Sequence, residues 1–249
     1  MENKKTEIDI ILPNYNSYEF IDKTIQSILK QNFRSWKLII IDDFSNIKTR
    51  EKIRKYEKLQ NVKIYWLKKN RGAAYCRNFA IRKSKSKYLA FIDSDDIWEK
   101  NKLRLQIQYM KKNNYNFTYT YYKTIGLKFK KVRPPIKFDF DNFINDTSIA
   151  TSTMMVKRKT AEGIKFTDTP ICEDYYFKCK ILKKIKFAYC MKNYLTKYRI
   201  RKDSLQSNKL RNFYWIWRIN YKYNNLNFFQ NLNSLLNISL SSVKKYGLK

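Results

Sequence analysis

Residues 88–96 read Tyr-Leu-Ala-Phe-Ile-Asp-Ser-Asp-Asp, five β-prone residues running unbroken into three carboxylates in four positions. A short apolar run of this length is a buried-strand candidate, which puts Asp93, Asp95 and Asp96 at its carboxyl end. Two upstream runs end in the same way. Residues 8–12 (IDIIL) lead into Pro13-Asn14-Tyr15-Asn16, and residues 36–41 (WKLIII) stop at Asp42-Asp43. Pro13 is expected to end the first strand, because proline cannot continue a central one. A further strand is expected at 62–67 (VKIYWL). Helices are expected between them: 18–31, with Phe20, Ile21, Ile25, Ile28 and Leu29 at helical spacing; the charged stretch 48–59; 73–82 after the Asn70-Arg71-Gly72 turn; and a segment with Leu103, Ile107 and Met110 on one face. Strands alternating with helices predict an α/β fold whose parallel sheet carries helices on both faces.

The pattern weakens from about 115 to 170. Tyr119, Tyr121 and Tyr122 suggest one strand and residues 153–156 (TMMV) another, while Pro134-Pro135 marks a loop. A helix is expected to begin near Glu173. From Leu205 onward the chain is rich in Asn, Lys and aromatic residues, without a strand signal.

Composition removes many chemistries. The 249 residues contain no histidine, which excludes a Ser-His-Asp triad, His-ligated zinc and imidazole acid/base work. The four glycines, Gly72, Gly126, Gly163 and Gly247, are isolated, so no glycine-rich phosphate loop is present. Cys76, Cys172, Cys179 and Cys190 form no C-x-x-C pair, and no secretory signal precedes the first strand. Reduced thiols acting as buried filler in a cytoplasmic protein are the expectation. No apolar stretch is long enough to span a membrane.

Net charge is +32. A Lys-, Asn- and Ile-rich composition, the product of an AT-rich genome, accounts for part of that total but not for its distribution. After Asp174, seventeen Lys and Arg residues face a single acid, Asp203. Such a bias suits an anionic partner: nucleic acid, a phosphorylated ligand or an acidic lipid surface. The acids themselves sit at strand ends, where parallel sheets bind ligands. Turns favour Asp and Asn in any case, so one acidic strand end is ordinary. Two in so basic a chain are not. Close carboxylates repel unless a cation lies between them. A divalent, oxygen-ligated metal is the simplest neutraliser, with phosphates carried by it as the ligand.

At this point the residues resemble a known family. ILPNYN, IIIDDFSN, NRGAAYCRN, FIDSDDIW and CEDYYFKCKIL, in this order and at these spacings, are similar to glycosyltransferase family 2. The match covers residues 8 to about 207. The resemblance implies a GT-A fold, a mostly parallel sheet flanked by helices. It also implies transfer of a sugar from a nucleotide-diphosphate donor to an acceptor with inversion at the anomeric carbon. By the same resemblance Pro13, Tyr15 and Asp43 are the nucleoside contacts, Tyr15 stacking on the base and Asp43 accepting from a uracil-type imide. Asp93 faces the ribose, Asp95 binds Mn2+ or Mg2+ bridging the two phosphates, and Asp96 lies near the donor sugar. Arg77 and Asn78 match the family's ARN segment, with Cys76 in place of the usual alanine. Packing alone is the competing explanation for those two. Asp174 aligns with the general base. An inverting displacement needs one carboxylate on the acceptor side to take the hydroxyl proton; a helix N-terminus also favours acids at this position through its dipole. In the segment Tyr198–Ser207, Arg201 stands where the family has a histidine. It can only donate to phosphate, which puts a protein metal ligand from that loop in doubt. Lys100 replaces a frequent proline.

The expected organisation is a GT-A domain over 1–207 and a helical, basic and aromatic C-terminal appendage over 208–249. In the appendage, Phe213, Tyr214, Trp215, Trp217, Phe228 and Phe229 interleave with Arg211, Arg218, Lys222, Lys244 and Lys245. That mixture suits an anionic membrane surface, single-stranded nucleic acid or an ordinary cap on the core. The expected partners are a UDP-linked sugar and a glycan acceptor, lipid-linked, at the cytoplasmic membrane face, in lipopolysaccharide or capsule synthesis. Nucleic acid is not expected as a partner. Two rivals stand beside this: a nucleic-acid-binding module, against which the acidic strand ends count, and a transferase-like scaffold without catalysis, against which Asp95 and Asp174 count.

Overall fold

A computed structural model of the chain describes residues 6–202 and 208–246. The segment 203–207, which holds the end of the family-like element and the expected domain boundary, lies outside the described residues.

The first half is a repeating strand–helix unit. β1 (Ile8–Asn14), α1 (Ile21–Leu29), β2 (Trp36–Asp42), α2 (Ile47–Arg54), β3 (Val62–Trp66), α3 (Gly72–Lys83) and β4 (Tyr88–Phe91) follow one another, and the strands lie parallel in the order β3-β2-β1-β4. Both faces of this sheet are covered, as alternating side chains require. Ile8, Ile10, Leu12, Leu38 and Ile40 pack with α1 residues Ile21, Ile25 and Ile28. Ile11, Ile39, Ile41 and Phe91 point the other way, into the cluster that contains α3. β1 does not stop at Pro13. It continues to Asn14, with Pro13 opposite Ile41, whereas its pairing with β4 ends at Ile11 opposite Phe91. Beyond that point β1 is paired on one side only, so a residue without an N–H is tolerated.

The second half extends the sheet with mixed pairing. β5 (Ile97–Trp98), α4 (Lys102–Lys112), β6 (Phe117–Gly126), β7 (Lys131–Val132), β8 (Lys137–Phe138), α5 (Phe140–Phe143), β9 (Met155–Lys157), α6 (Arg158–Ala161), α7 (Glu173–Lys184) and β10 (Ala188–Ile200) complete the order β3-β2-β1-β4-β9-β6-β10-β5. β9 is antiparallel to both β4 and β6, and β10 is parallel to β6. β10 is absent from the sequence-based reading. Its alternation is broken by register shifts around Tyr194, and its solvent-facing Lys and Asn residues dilute the apolar signal. The four cysteines are buried thiols.

α8 (Lys209–Asn224) and α9 (Phe228–Tyr246) form a hairpin turned at Asn225, which has a left-handed backbone. Its inner face belongs to the core: Ile216, Ile219, Leu226 and Ile238 are buried in the same cluster as Phe177 and Ile181 of α7. A polar seam runs through it. Tyr175 donates to Asn220 at 2.6 Å, and the Asn220 amide donates to Asn231 and Ser234 at 3.2 and 3.1 Å. Every member of that seam is buried and hydrogen-bonded, the condition under which interior polar groups are tolerated. Ile219→Ala leaves a cavity between hairpin and core and is expected to cost about 2–5 kcal/mol. Urea unfolding should show a lower midpoint with an unchanged slope; a midpoint equal to wild type would mean that the hairpin is not packed on the core.

Candidate active site

The carboxyl ends of β1, β2 and β4 and the amino end of α7 meet on one edge of the sheet. At the end of β2, Asp42 is fully buried and accepts from Asn14 (2.8 Å), the Ser45 backbone (3.1 Å) and Arg50 (2.9 Å). Asp43 accepts from the backbone N–H groups of Arg71 and Gly72 at 2.7 and 2.8 Å, one on each oxygen. This places a carboxylate on the positive end of α3, and Gly72 enters that helix with φ +83°, where a side chain would be strained. Asp42 is structural, and Asp43 keeps lone pairs for a further donor. Tyr15, which follows Asn14 at the end of β1, is 53% exposed.

Arg77 of α3 is the hub. It is buried, and its two terminal nitrogens separate onto two carboxylates: one donates to Asp93 at 2.7 Å, the other to Glu173 at 2.6 Å. The Phe166 ring lies beneath the guanidinium at 5.3 Å. Asn78 engages Phe166 reciprocally, its amide nitrogen donating to the Phe166 carbonyl and its oxygen accepting from the Phe166 N–H, both at 2.8 Å. Asn78 thus anchors the loop before α7. Its side chain is turned toward that loop.

After β4 the three acids diverge. Asp93 is fixed through Arg77, and its N–H donates to the Ser152 hydroxyl at 2.9 Å. Asp96 is buried; it accepts from the Arg199 N–H at 2.7 Å, tying this turn to the end of β10. Burial and the charges of Asp95 and Asp93 push its carboxyl well above the ordinary range. Asp95 faces Arg201 at 3.3 Å, and Arg199 donates to the Asp95 carbonyl at 2.9 Å. Burial and the Asp93 charge push the Asp95 carboxyl up to about 6 against the opposing pull of Arg201. Arg199 and Arg201 lie over the Phe20 ring at 4.6 and 5.3 Å, beside a recess of about 290 Å³ lined also by Glu19, Leu127 and Lys202.

Asp174 accepts from Thr151 at 2.8 Å and from Lys178, one helical turn on, at 2.6 Å. Burial alone would raise its pKa, but Lys178, itself buried, holds the carboxyl well below the ordinary range. Neighbouring Glu173 is shifted the other way, burial outweighing the charge of Arg77. Sequence reasoning missed Thr151, Ser152, Lys178 and Arg199. The Asp174/Lys178 spacing of four was a readable helical ion pair. Thr151 and Ser152, in a short 3-10 turn after an irregular loop, carried no signal.

Asp95 therefore presents a hard oxygen donor whose negative charge is incompletely compensated, which fits a divalent cation. Among the described residues no group of three or more Cys, Asp or Glu is arranged to hold a metal. The sign of the stability effect follows from the shift. Folded Asp95 keeps its proton to higher pH than the unfolded chain does, so ionising it costs stability as pH rises from 3.8 through about 6, and the whole cost is present above that. Asp95→Asn should raise the melting temperature at neutral pH, and the gain should vanish as pH falls toward about 4. An equal or lower melting temperature at neutral pH would show that Arg201 already compensates the charge.

Residues 9–187 match the family model described as Glycosyl transferase family 2. A Bacillus subtilis protein named as a putative teichuronic acid biosynthesis glycosyltransferase, TuaG, is 31% identical over 250 residues, 98% of this chain and 99% of its own length. An Escherichia coli protein, WfgD, named as a UDP-Glc:alpha-D-GlcNAc-diphosphoundecaprenol beta-1,3-glucosyltransferase, is 32% identical over 85% of this chain and 84% of its own. Among solved structures, Staphylococcus aureus TarS with UDP-GlcNAc superposes with a TM-score of 0.76 at 19% identity, over 96% of this chain and 73% of that one. A Pyrobaculum calidifontis mannosyltransferase with GDP-Man and Mn2+ superposes at 0.71 and 14% identity, over 97% and 74%. The structural likenesses show the GT-A fold that the strand order displays, and the family match, with full-length relatives above 30% identity, shows that the chain belongs to glycosyltransferase family 2.

Proposed function

We propose that this enzyme transfers a sugar from a UDP-linked donor, with inversion at the anomeric carbon, to a lipid-linked glycan during assembly of a surface polysaccharide. One observation carries the reading: a single buried guanidinium, Arg77, joins Asp93 on the donor side to Glu173, the neighbour of Asp174, on the acceptor side. Both are presented at the carboxyl edge of the sheet, where open parallel sheets bind their ligands. The relatives' names supply the substrate class: UDP-glucose and a diphosphoundecaprenol acceptor for WfgD, UDP-GlcNAc for the TarS complex.

Each residue then has a task its surroundings support. The exposed Tyr15 ring, beside Pro13, stacks on the base, and Asp43 accepts from the uracil imide with lone pairs its backbone donors leave open. Asp93, fixed by Arg77, meets the ribose. Asp95 would hold a divalent cation, Mn2+ or Mg2+, through its hard carboxylate oxygens. Such an ion supplies charge neutralisation for the departing UDP. Arg201 adds a guanidinium on the same side, suited to phosphate oxygens once it leaves Asp95. Asp96, buried, acts by holding the end of β10 in register, and Asn78 by holding the Phe166 loop.

On the acceptor side Asp174 is the base. Lys178 keeps it ionised at all working pH values, and the attacking hydroxyl becomes acidic only as its bond to the anomeric carbon forms, when the proton passes to the carboxylate. A single carboxylate suffices, because no covalent sugar–enzyme bond is made. The acceptor's lipid places the enzyme at a membrane surface. The proposed association is peripheral; no described helix is long and apolar enough to cross a membrane.

Asp174→Asn keeps the size of the side chain and removes its ability to take the proton. Turnover should fall by about 10²–10⁴-fold, with UDP affinity in calorimetric titration, Mn2+ present, close to wild type. Turnover within a few-fold of wild type would move the base role to Glu173. No UDP binding by the wild-type protein, with or without Mn2+, would overturn the donor assignment.

A further inference from the structure

The α8–α9 hairpin has an outer face that the core does not use. Along α9, Phe229, Leu232, Leu236, Leu240 and Val243 follow one another at spacings of three and four, a single helical stripe. All five are exposed, from 40% for Val243 to 79% for Phe229. On α8, Leu210, Tyr214 and Tyr221 are likewise exposed, on the side of Trp217. The Trp217 ring meets Phe228 edge-on at 5.4 Å, and Phe228 meets Phe229 at 5.7 Å, so the two stripes join into one surface. A contiguous apolar surface of this kind marks an interaction site.

The charges around it select the partner. Residues 208–246 contain no Asp or Glu, while Arg211, Arg218, Lys222 and Lys244 are exposed on the same two helices. A second copy of this chain would bring like charge against like charge. An anionic phospholipid surface brings the opposite sign, together with an apolar layer for the leucines and a headgroup layer for Trp217 and the tyrosines. We infer that the outer face of the hairpin lies in the plane of an anionic bilayer, the α9 stripe immersed to the level of the acyl chains and the basic residues on the headgroups.

This inference rests on the lipid-linked acceptor proposed above, and it adds an orientation. Tyr175, adjacent to Asp174, donates to Asn220 of α8, and Asn220 donates to Asn231 and Ser234 on the inner face of α9. The membrane face and the acceptor-side carboxylate are thus joined by a buried, hydrogen-bonded path. Docking the hairpin fixes the height and tilt at which Asp174 meets an acceptor held by its lipid.

The test uses the full chain and sedimentation with vesicles of phosphatidylcholine, with and without phosphatidylglycerol, at low and high salt. Wild type should pellet with the anionic vesicles, less so at high salt, and stay in solution with the neutral ones. The double variant Leu236→Asn/Leu240→Asn should lose at least about tenfold in partitioning and keep its melting temperature, since the replaced side chains are 57% and 62% exposed. Wild type remaining in solution with anionic vesicles, or the double variant pelleting as well as wild type, would overturn the inference. So would a wild-type dimer in sedimentation equilibrium that the variant abolishes, since the stripe would then belong to a second copy. UDP titration on the same samples separates the two readings: retained UDP binding beside absent vesicle binding removes the membrane face and leaves the transferase.

Discussion

The site depends on a buried fork. Arg77 sends one nitrogen to Asp93 at the end of β4 and the other to Glu173 at the start of α7, ninety-six residues further along the chain. A guanidinium is always charged and planar, so it can satisfy two carboxylates at a fixed separation. With either acid removed, a cation in a nearly waterless place would lose a partner, a loss typically worth about 3–5 kcal/mol. The end of β4 and the start of α7 are therefore not independent pieces brought together by a substrate. They share one cation, and the Phe166 loop, held by Asn78 and the ring contact to Arg77, closes the same joint.

The charges around that joint are arranged unequally. Asp174 has its own buried lysine and a threonine and stays ionised, whereas Asp95 is desolvated beside Asp93, with the longer Arg201 contact and the charge of Arg199 falling short of offsetting it. Two carboxylates of similar burial are thus pushed in opposite directions by their partners. Divergence of this kind is what the proposed division of labour, Asp174 as base and Asp95 as cation ligand, calls for. The +32 net charge of the chain is not uniform background either: three acids fall within four residues after β4, and the C-terminal hairpin carries none.

The first half of the fold was legible because its strands are largely apolar runs, three of them leading into Asp or Asn, and its helices carry their apolar residues at regular spacing. Pro13 misled by two residues, since proline is excluded from a doubly paired strand and β1 at that point is paired once. β10 was hidden because its partners are non-local and its register shifts interrupt the alternation. At the site, residues at strand ends could be read, since only the sheet edge needs acids there. What could not be read was pairing. Nothing local says that Arg77 reaches Glu173, that Asn78 turns to the Phe166 backbone, or that Asp96 points inward to the Arg199 N–H. Those contacts are made by the fold, and they separate residues positioned to meet a ligand from residues that hold them in place.

The measurement that bears most directly on this account is the steady-state kinetics of Arg77→Lys, with UDP affinity determined alongside. Lysine keeps the charge and much of the length but offers one nitrogen where two directions are needed. If the fork sets the geometry between donor and acceptor sides, turnover falls by about 10²-fold, the cost of a misplacement on the order of 1 Å, while the protein remains folded and UDP affinity changes far less. Turnover within a few-fold of wild type would show that charge alone suffices, and that Asp93 and Glu173 do not depend on a shared guanidinium for their positions.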